Sequence, residues 1–168
     1  MKRDDGMRIL VVVDESEHSD RTVSYVGTLL RENREVEITL FHVLKPLPRQ
    51  LLEHGGSEDP TVEIQLSQQL QKEREEWYRR QEQAEYPILV KAQETLGKTG
   101  FPTARVILRF GHEEESAFRN ILDEARIGGY ETIVVSRHGV SGVTRPFGGS
   151  LPNQLLRETA GLTLWIVE

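Results

Sequence analysis

The chain has 168 residues, with 21 Lys and Arg against 27 Asp and Glu, a formal net charge of -6. That balance, with the basic residues scattered rather than gathered into a stripe, excludes a surface built to hold nucleic-acid phosphates. With no cysteine, the chain can form no disulfide, no thiolate-bound zinc and no thiol nucleophile, and a reducing, cytoplasmic setting is expected.

The length fits a single domain spanning residues 1–168, large enough to bury an ordinary core. Residues 1–6 read as a loose terminus. The first apolar run, "RILVVVD" (8–14), is too short for a signal-peptide core and ends in Asp14. It reads as a buried strand. Val23, Val26, Leu29 and Leu30 then recur at helical spacing, with Asp14 and Ser16 as candidate N-caps and Glu17 positioned to complete a capping box with Asp14. A second strand follows at "VEITLFHVL" (36–44).

The stretch from residue 49 to residue 100 breaks the short strand–helix rhythm. Turn signals at "HGGSEDP" lead into a Gln-, Glu- and Arg-rich segment, so residues 49–86 read as an extended polar insert. Leu66, Leu70, Trp77 and Ala84 lie near one stripe, which predicts a helix of about 25 residues that breaks or kinks at Pro87 and resumes to about Leu96. Its stripe is expected to lie on the chain's own sheet. Beyond it come a strand at "ARVILRF" (104–110), Gly111, a helix in "EEESAFRNILDEA" (113–125), a strand at "ETIVVS" (131–136), a helix from about Leu151 to Thr159, and a last strand at "LTLWIVE" (162–168). Near-continuous apolar strands alternating with helices define an α/β fold with a parallel sheet covered on both faces. No stretch approaches the ~18 apolar residues of a spanning helix, so no membrane partner is expected.

Between the fourth strand and the last helix lies "SRHGVSGVTRPFGGS" (136–150), with four glycines in fifteen positions. Glycine-rich backbone leading into a helix N-terminus presents unpaired N–H groups to an anion, and phosphate is the obvious candidate. The loop has no G-x-x-x-x-G-K-[ST], and no G-x-G-x-x-G follows the first strand, so neither a P-loop nor the usual dinucleotide fold is indicated. Nucleophile elbows and H-E-x-x-H are also missing, which points away from an enzyme. A receiver domain would need an acidic pair after the first strand, where "VVVDES" offers one aspartate. A metal site from His112, Glu113 and Glu115 has no warrant in the spacing. His42 reads as a satisfied residue of a strand, and His18, His54 and His112 as surface positions.

Gly139, nine residues, then Gly149 and Ser150 match the spacing of the loop in universal stress proteins of the ATP-binding type, which the whole chain resembles through "VVVD", "LFHVL", the Gly111 unit and "LTLWIV". The resemblance implies an open five-stranded parallel sheet of order 3-2-1-4-5 with helices on both faces. It further implies that Asp14 contacts the adenosine portion of ATP, that the Val43 backbone pairs with the adenine edge, and that Gly139, Gly149 and Ser150, continuing into Leu151, hold ribose and phosphates. Mg or Mn would arrive with those phosphates. Ser136 stands where the family has its first loop glycine, and its hydroxyl would either donate to a phosphate or crowd one. Arg137 and Arg145 are candidate phosphate clamps or solvated side chains. A regulatory nucleotide-binding protein of the stress response is implied, with a non-binding scaffold of the same fold as the alternative. The resemblance also implies a homodimer through the last strand, with Trp165 near the seam.

Overall fold

The computed structural model describes residues 6–112, 116–138 and 150–168; the terminus at residues 1–5 lies outside them. Five strands form one sheet in the order β3-β2-β1-β4-β5, all neighbours parallel, as the resemblance implied. They are β1 (Met7–Val12), β2 (Val36–Leu44), β3 (Val106–His112), β4 (Thr132–Ser136) and β5 (Thr163–Val167). Helices α1 (Glu17–Leu30), α2 (Pro60–Lys98), α3 (Ala117–Ile127) and α4 (Leu151–Glu158) make the crossovers.

Strand alternation divides the apolar residues into two cores. Ile9, Val11, Ile38, Leu40 and Val134 face α1 and α2, where Val23, Val26, Leu89, Ala92 and Leu96 close over them. Leu10, Val12, Phe41, Ile133 and Val135 face the other way, against Ile121, Ala125 and Leu155 of α3 and α4. Both faces of β1 and β4 are thus covered, which is why their sequences are continuous apolar runs rather than alternating ones. Gly27 lets α1 approach α2: a Cβ there would lie 2.3 Å from Thr99 Oγ1 and 2.8 Å from Leu96 Cδ1. Lys91 Nζ of α2 donates to Asp20 Oδ2 of α1 at 2.6 Å, and this bond holds the Lys91 pKa above its usual value.

Several boundaries differ from the sequence reading, each for a local reason. Helix α1 is capped by Ser16, whose hydroxyl accepts from the Ser19 N–H, so Glu17 is the first helical residue and the Asp14–Glu17 capping box does not arise. Helix α2 runs unbroken through Pro87 over 39 residues, about 58 Å at 1.5 Å per residue. Gln83, which loses its helical donor to the proline, and Pro87 itself are both exposed, so water can serve the bare carbonyl. Anchors on both sides of Pro87 hold the helix down: Glu82 and Glu85 before it, and Leu89, Ala92 and Leu96 after it. Strand β3 begins at Val106, because Thr103–Arg105 forms a 3₁₀ turn, and it extends through Gly111. A Cβ on Gly111 would lie 2.0 Å from Asn120 Oδ1 and 2.4 Å from Phe41 Cζ, so glycine lets the strand pass under α3. That helix starts after the N-cap Ser116, not in the acidic run before it.

Candidate functional site

In a parallel sheet a site forms beyond the carboxyl ends of the strands, where successive connections depart in opposite directions. Here that point lies between β1, whose chain goes on to β2, and β4, whose chain goes on to β5. Helix α1 leaves on one face and α4 arrives on the other. Asp14, Val43, Ser136, Arg137, Ser150 and Leu151 all lie at this edge. Gly139, Gly149 and Arg145 lie outside the described residues, as do Glu113 and Glu115.

Asp14 follows β1 by two residues. Its Oδ1 accepts the Ser16 N–H at 2.8 Å and bonds the Ser16 hydroxyl, while its own N–H donates to Ser19 Oγ at 3.0 Å. These bonds fix the carboxylate at the mouth of the crevice, half-buried, in the turn that launches α1. Neighbouring β2 is longer than β1. Their pairing ends at Val12 opposite Phe41, with one further bond from Val13 N–H to Phe41 O at 2.9 Å. In a parallel ladder alternate residues turn both backbone groups to the same neighbour, so the Val43 N–H and C=O face the space above the end of β1. They present one donor and one acceptor side by side.

The turn after β1 is braced from α2. Val13 O accepts from His42 Nδ1 at 2.8 Å, and His42 Nε2 meets Glu85 Oε2 at 2.5 Å. A carbonyl oxygen only accepts, so Nδ1 carries a hydrogen and the Glu85 carboxylate holds the other ring nitrogen. One helical turn earlier, Glu82 Oε1 bonds His112 Nε2 at 2.8 Å, and the Tyr78 ring stacks on that imidazole at 4.0 Å. His42 is therefore satisfied, as its position in a strand suggested, but His112 is tied into α2 rather than being a bare surface residue. Sequence reading missed both partners, and their signal was the three-residue spacing of Glu82 and Glu85 on one helical face. On the α3 side, Phe41, Gly111, His112, Ser116 and Asn120 line a cleft of about 720 Å³ next to Val43, which pairs with Gly111.

On the β4 side the described residues run to His138 and resume at Ser150. Ser136 closes β4, is buried at 4% exposure, and pairs with Val167. Arg137 turns away from the crevice: its N–H donates to Val167 O at 2.7 Å and its guanidinium pairs with Glu168 at 2.6 Å. Ser150 is the N-cap of α4, its C=O accepting the Gln154 N–H at 3.1 Å, and its hydroxyl makes no capping bond. Leu151 packs into the α3–α4 core, and buried Pro152 follows it in the first turn, where its missing N–H costs nothing. His138 brings its ring to 5.0 Å from that of His18 in α1. Among the described residues no group of three or more His, Asp or Glu could hold a metal, and no helix is long and apolar enough to cross a membrane.

The chain belongs to the universal stress protein family, whose model matches residues 7–161. No curated protein matches it. Among solved structures it resembles a universal stress protein in complex with cAMP at a TM-score of 0.63 and 16% identity, covering 98% of this chain and 99% of that one. A protein of the family from Burkholderia pseudomallei gives 0.60 and 18%, covering 99% and 98%. The universal stress protein from Archaeoglobus fulgidus in complex with dAMP gives 0.59 and 16%, covering 96% and 98%. At these identities the likeness is one of fold.

Proposed function

We propose that this chain is a cytoplasmic stress-response regulator that binds ATP or a related adenine nucleotide at the carboxyl edge of β1, β2 and β4. The observation that carries the reading is Val43, whose N–H and C=O turn toward β1 beyond the last paired residue of that strand. A donor and an acceptor in that order suit the N1 and N6 edge of adenine. Asp14, pinned by Ser16, suits ribose hydroxyls. Ser150, with no capping bond on its hydroxyl at the start of α4, suits a phosphate. Two structures of like fold that hold cAMP and dAMP support the same class of ligand. Mg²⁺ or Mn²⁺ would be carried by the phosphates, because the described side chains offer no cluster of their own. The chain is read as a binder and not an enzyme. Acid extraction of the purified protein should release an adenine nucleotide, and ATP incubated with the protein should be recovered intact. An extract without nucleotide, or turnover of ATP to phosphate or pyrophosphate beyond a slow residual hydrolysis, goes against this reading.

One observation favours the alternative of a non-binding scaffold: Arg137 is engaged by Glu168 and so withdrawn from the phosphate side.

We further propose that a second copy pairs along β5. It is an edge strand carrying exposed Ile166 and half-buried Trp165, and an open edge of that kind is ordinarily covered. Replacing Ile166 by Lys should shift the mass measured by light scattering toward the monomer, and an unchanged dimer would place the interface elsewhere.

A further inference from the structure

Side chains from two elements converge on one peptide group at the mouth of the crevice. The group joining Val13 to Asp14 lies just past β1, beyond the last residues that this strand pairs with in β2 and β4. Its C=O accepts from His42 Nδ1 of β2 at 2.8 Å, and its N–H donates to Ser19 Oγ of α1 at 3.0 Å. A peptide group is planar, so bonds at both ends fix its orientation and with it the direction in which Asp14 leaves the backbone. His42 and Ser19 are buried, at 7% and 3% exposure, so water competes weakly for either bond.

The imidazole is itself held from a third element. Glu85 Oε2 of α2 meets His42 Nε2 at 2.5 Å, and the Phe110 ring lies edge-on to it at 6.1 Å and 73°. A ring bonded at both nitrogens cannot swing without losing both bonds at once. His42 also sits between Phe41, whose C=O accepts the Val13 N–H, and Val43, whose backbone turns toward β1. Glu85 therefore ties α2, one turn ahead of its buried anchor Leu89, to the turn that carries Asp14. The other imidazole that α2 holds makes a contrast. His112 bonds Glu82 and stacks on Tyr78, and among the described residues its ring makes no bond to the turn after β1.

We propose that His42 and Glu85 are positioning residues of the nucleotide site: neither touches the ligand, and together they hold the peptide between Val13 and Asp14 so that the Asp14 carboxylate meets it. This rests on the nucleotide reading above. Because the ligand and the brace act on one peptide group, the linkage is reciprocal, and a ligand on Asp14 tightens the hold on α2 at Glu85.

The test is a set of calorimetric titrations of the full chain with AMP, run well below the melting temperature of each variant. His42→Gln keeps an amide for Glu85 but none for the Val13 carbonyl, and Glu85→Ala frees the ring. Each should weaken AMP by about threefold to tenfold, the worth of one hydrogen bond. Glu85→Gln is the conservative rescue: its amide N–H donates to Nε2 while Nδ1 keeps its hydrogen for Val13, so affinity should return to that of the parent. Glu82→Ala, which cuts the neighbouring contact to His112, should leave affinity unchanged. In the parent, AMP should slow amide hydrogen exchange in α2 around Glu85. Variants that melt lower but bind AMP as the parent does make the pair structural only and overturn the proposal while leaving nucleotide binding in place. Equal weakening by Glu82→Ala, failure of Glu85→Gln to restore affinity, or exchange around Glu85 that saturating AMP does not move also overturns it. A parent chain that does not bind AMP overturns the nucleotide reading and this proposal together.

Discussion

Replacing Phe41 by Ala should cost about 3–5 kcal/mol of folding stability, the range for removing a buried aromatic ring. For a chain of this size that corresponds to a melting temperature lower by roughly 6–20 °C. Phe41 is 1% exposed and packs with Leu10, Val12, Ile121 and Val135 in the core beneath α3 and α4. Its ring also lies against Gly111, where a Cβ would come within 2.4 Å of Cζ, so the ring and the glycine fit each other. Truncation leaves a cavity that β2 and β3 cannot close without giving up their register. Urea denaturation should show a lower midpoint with an unchanged slope. A loss under about 1 kcal/mol would mean that this face of the sheet is not packed as described.

Replacing Asp14 by Ala should act on both the ligand and the fold, by unequal amounts. The lost bond to the Ser16 N–H loosens the start of α1, a cost of about 1 kcal/mol by analogy with cap removal. Nucleotide affinity should fall by about tenfold or more, at roughly 1.4 kcal/mol per tenfold. The Asp14→Asn variant separates the two effects, because its amide oxygen still accepts from Ser16 but carries no charge. If Asp14 serves only the turn, the amide restores stability and affinity together. If the carboxylate meets the ligand, stability returns and affinity does not. Titration of both variants with AMP, beside their melting curves, reads the difference directly.

The sheet was legible because β1, β2 and β4 are buried on both faces, and residues such as Ile9 to Val12 and Ile133 to Val135 have no polar alternative to alternate with. Strand order came from the family resemblance and agrees with the observed pairing. Helix α2 was read less well, since a proline in a sequence signals a break, whereas the outcome depends on whether the bare carbonyl meets water and whether both flanks are anchored. Those anchors are His42 with Glu85 and His112 with Glu82, contacts between residues 43 and 30 positions apart, which no local pattern contains. At the site, the strand-end positions of Asp14 and Val43 followed from where the apolar runs stop. The direction of Arg137 did not, because its partner Glu168 lies one strand away.

The central claim is that an adenine nucleotide occupies the edge shaped by Asp14, Val43 and the start of α4. Thermal denaturation of the purified chain with AMP, ATP and Mg-ATP at concentrations near a hundred times the calorimetric dissociation constant tests it most directly. Ligand at that excess adds about 2.7 kcal/mol, so the melting temperature should rise by roughly 5–10 °C, with saturable one-to-one binding heats. Flat titrations and an unmoved melting curve at millimolar nucleotide would contradict it and leave a scaffold of the universal stress protein fold.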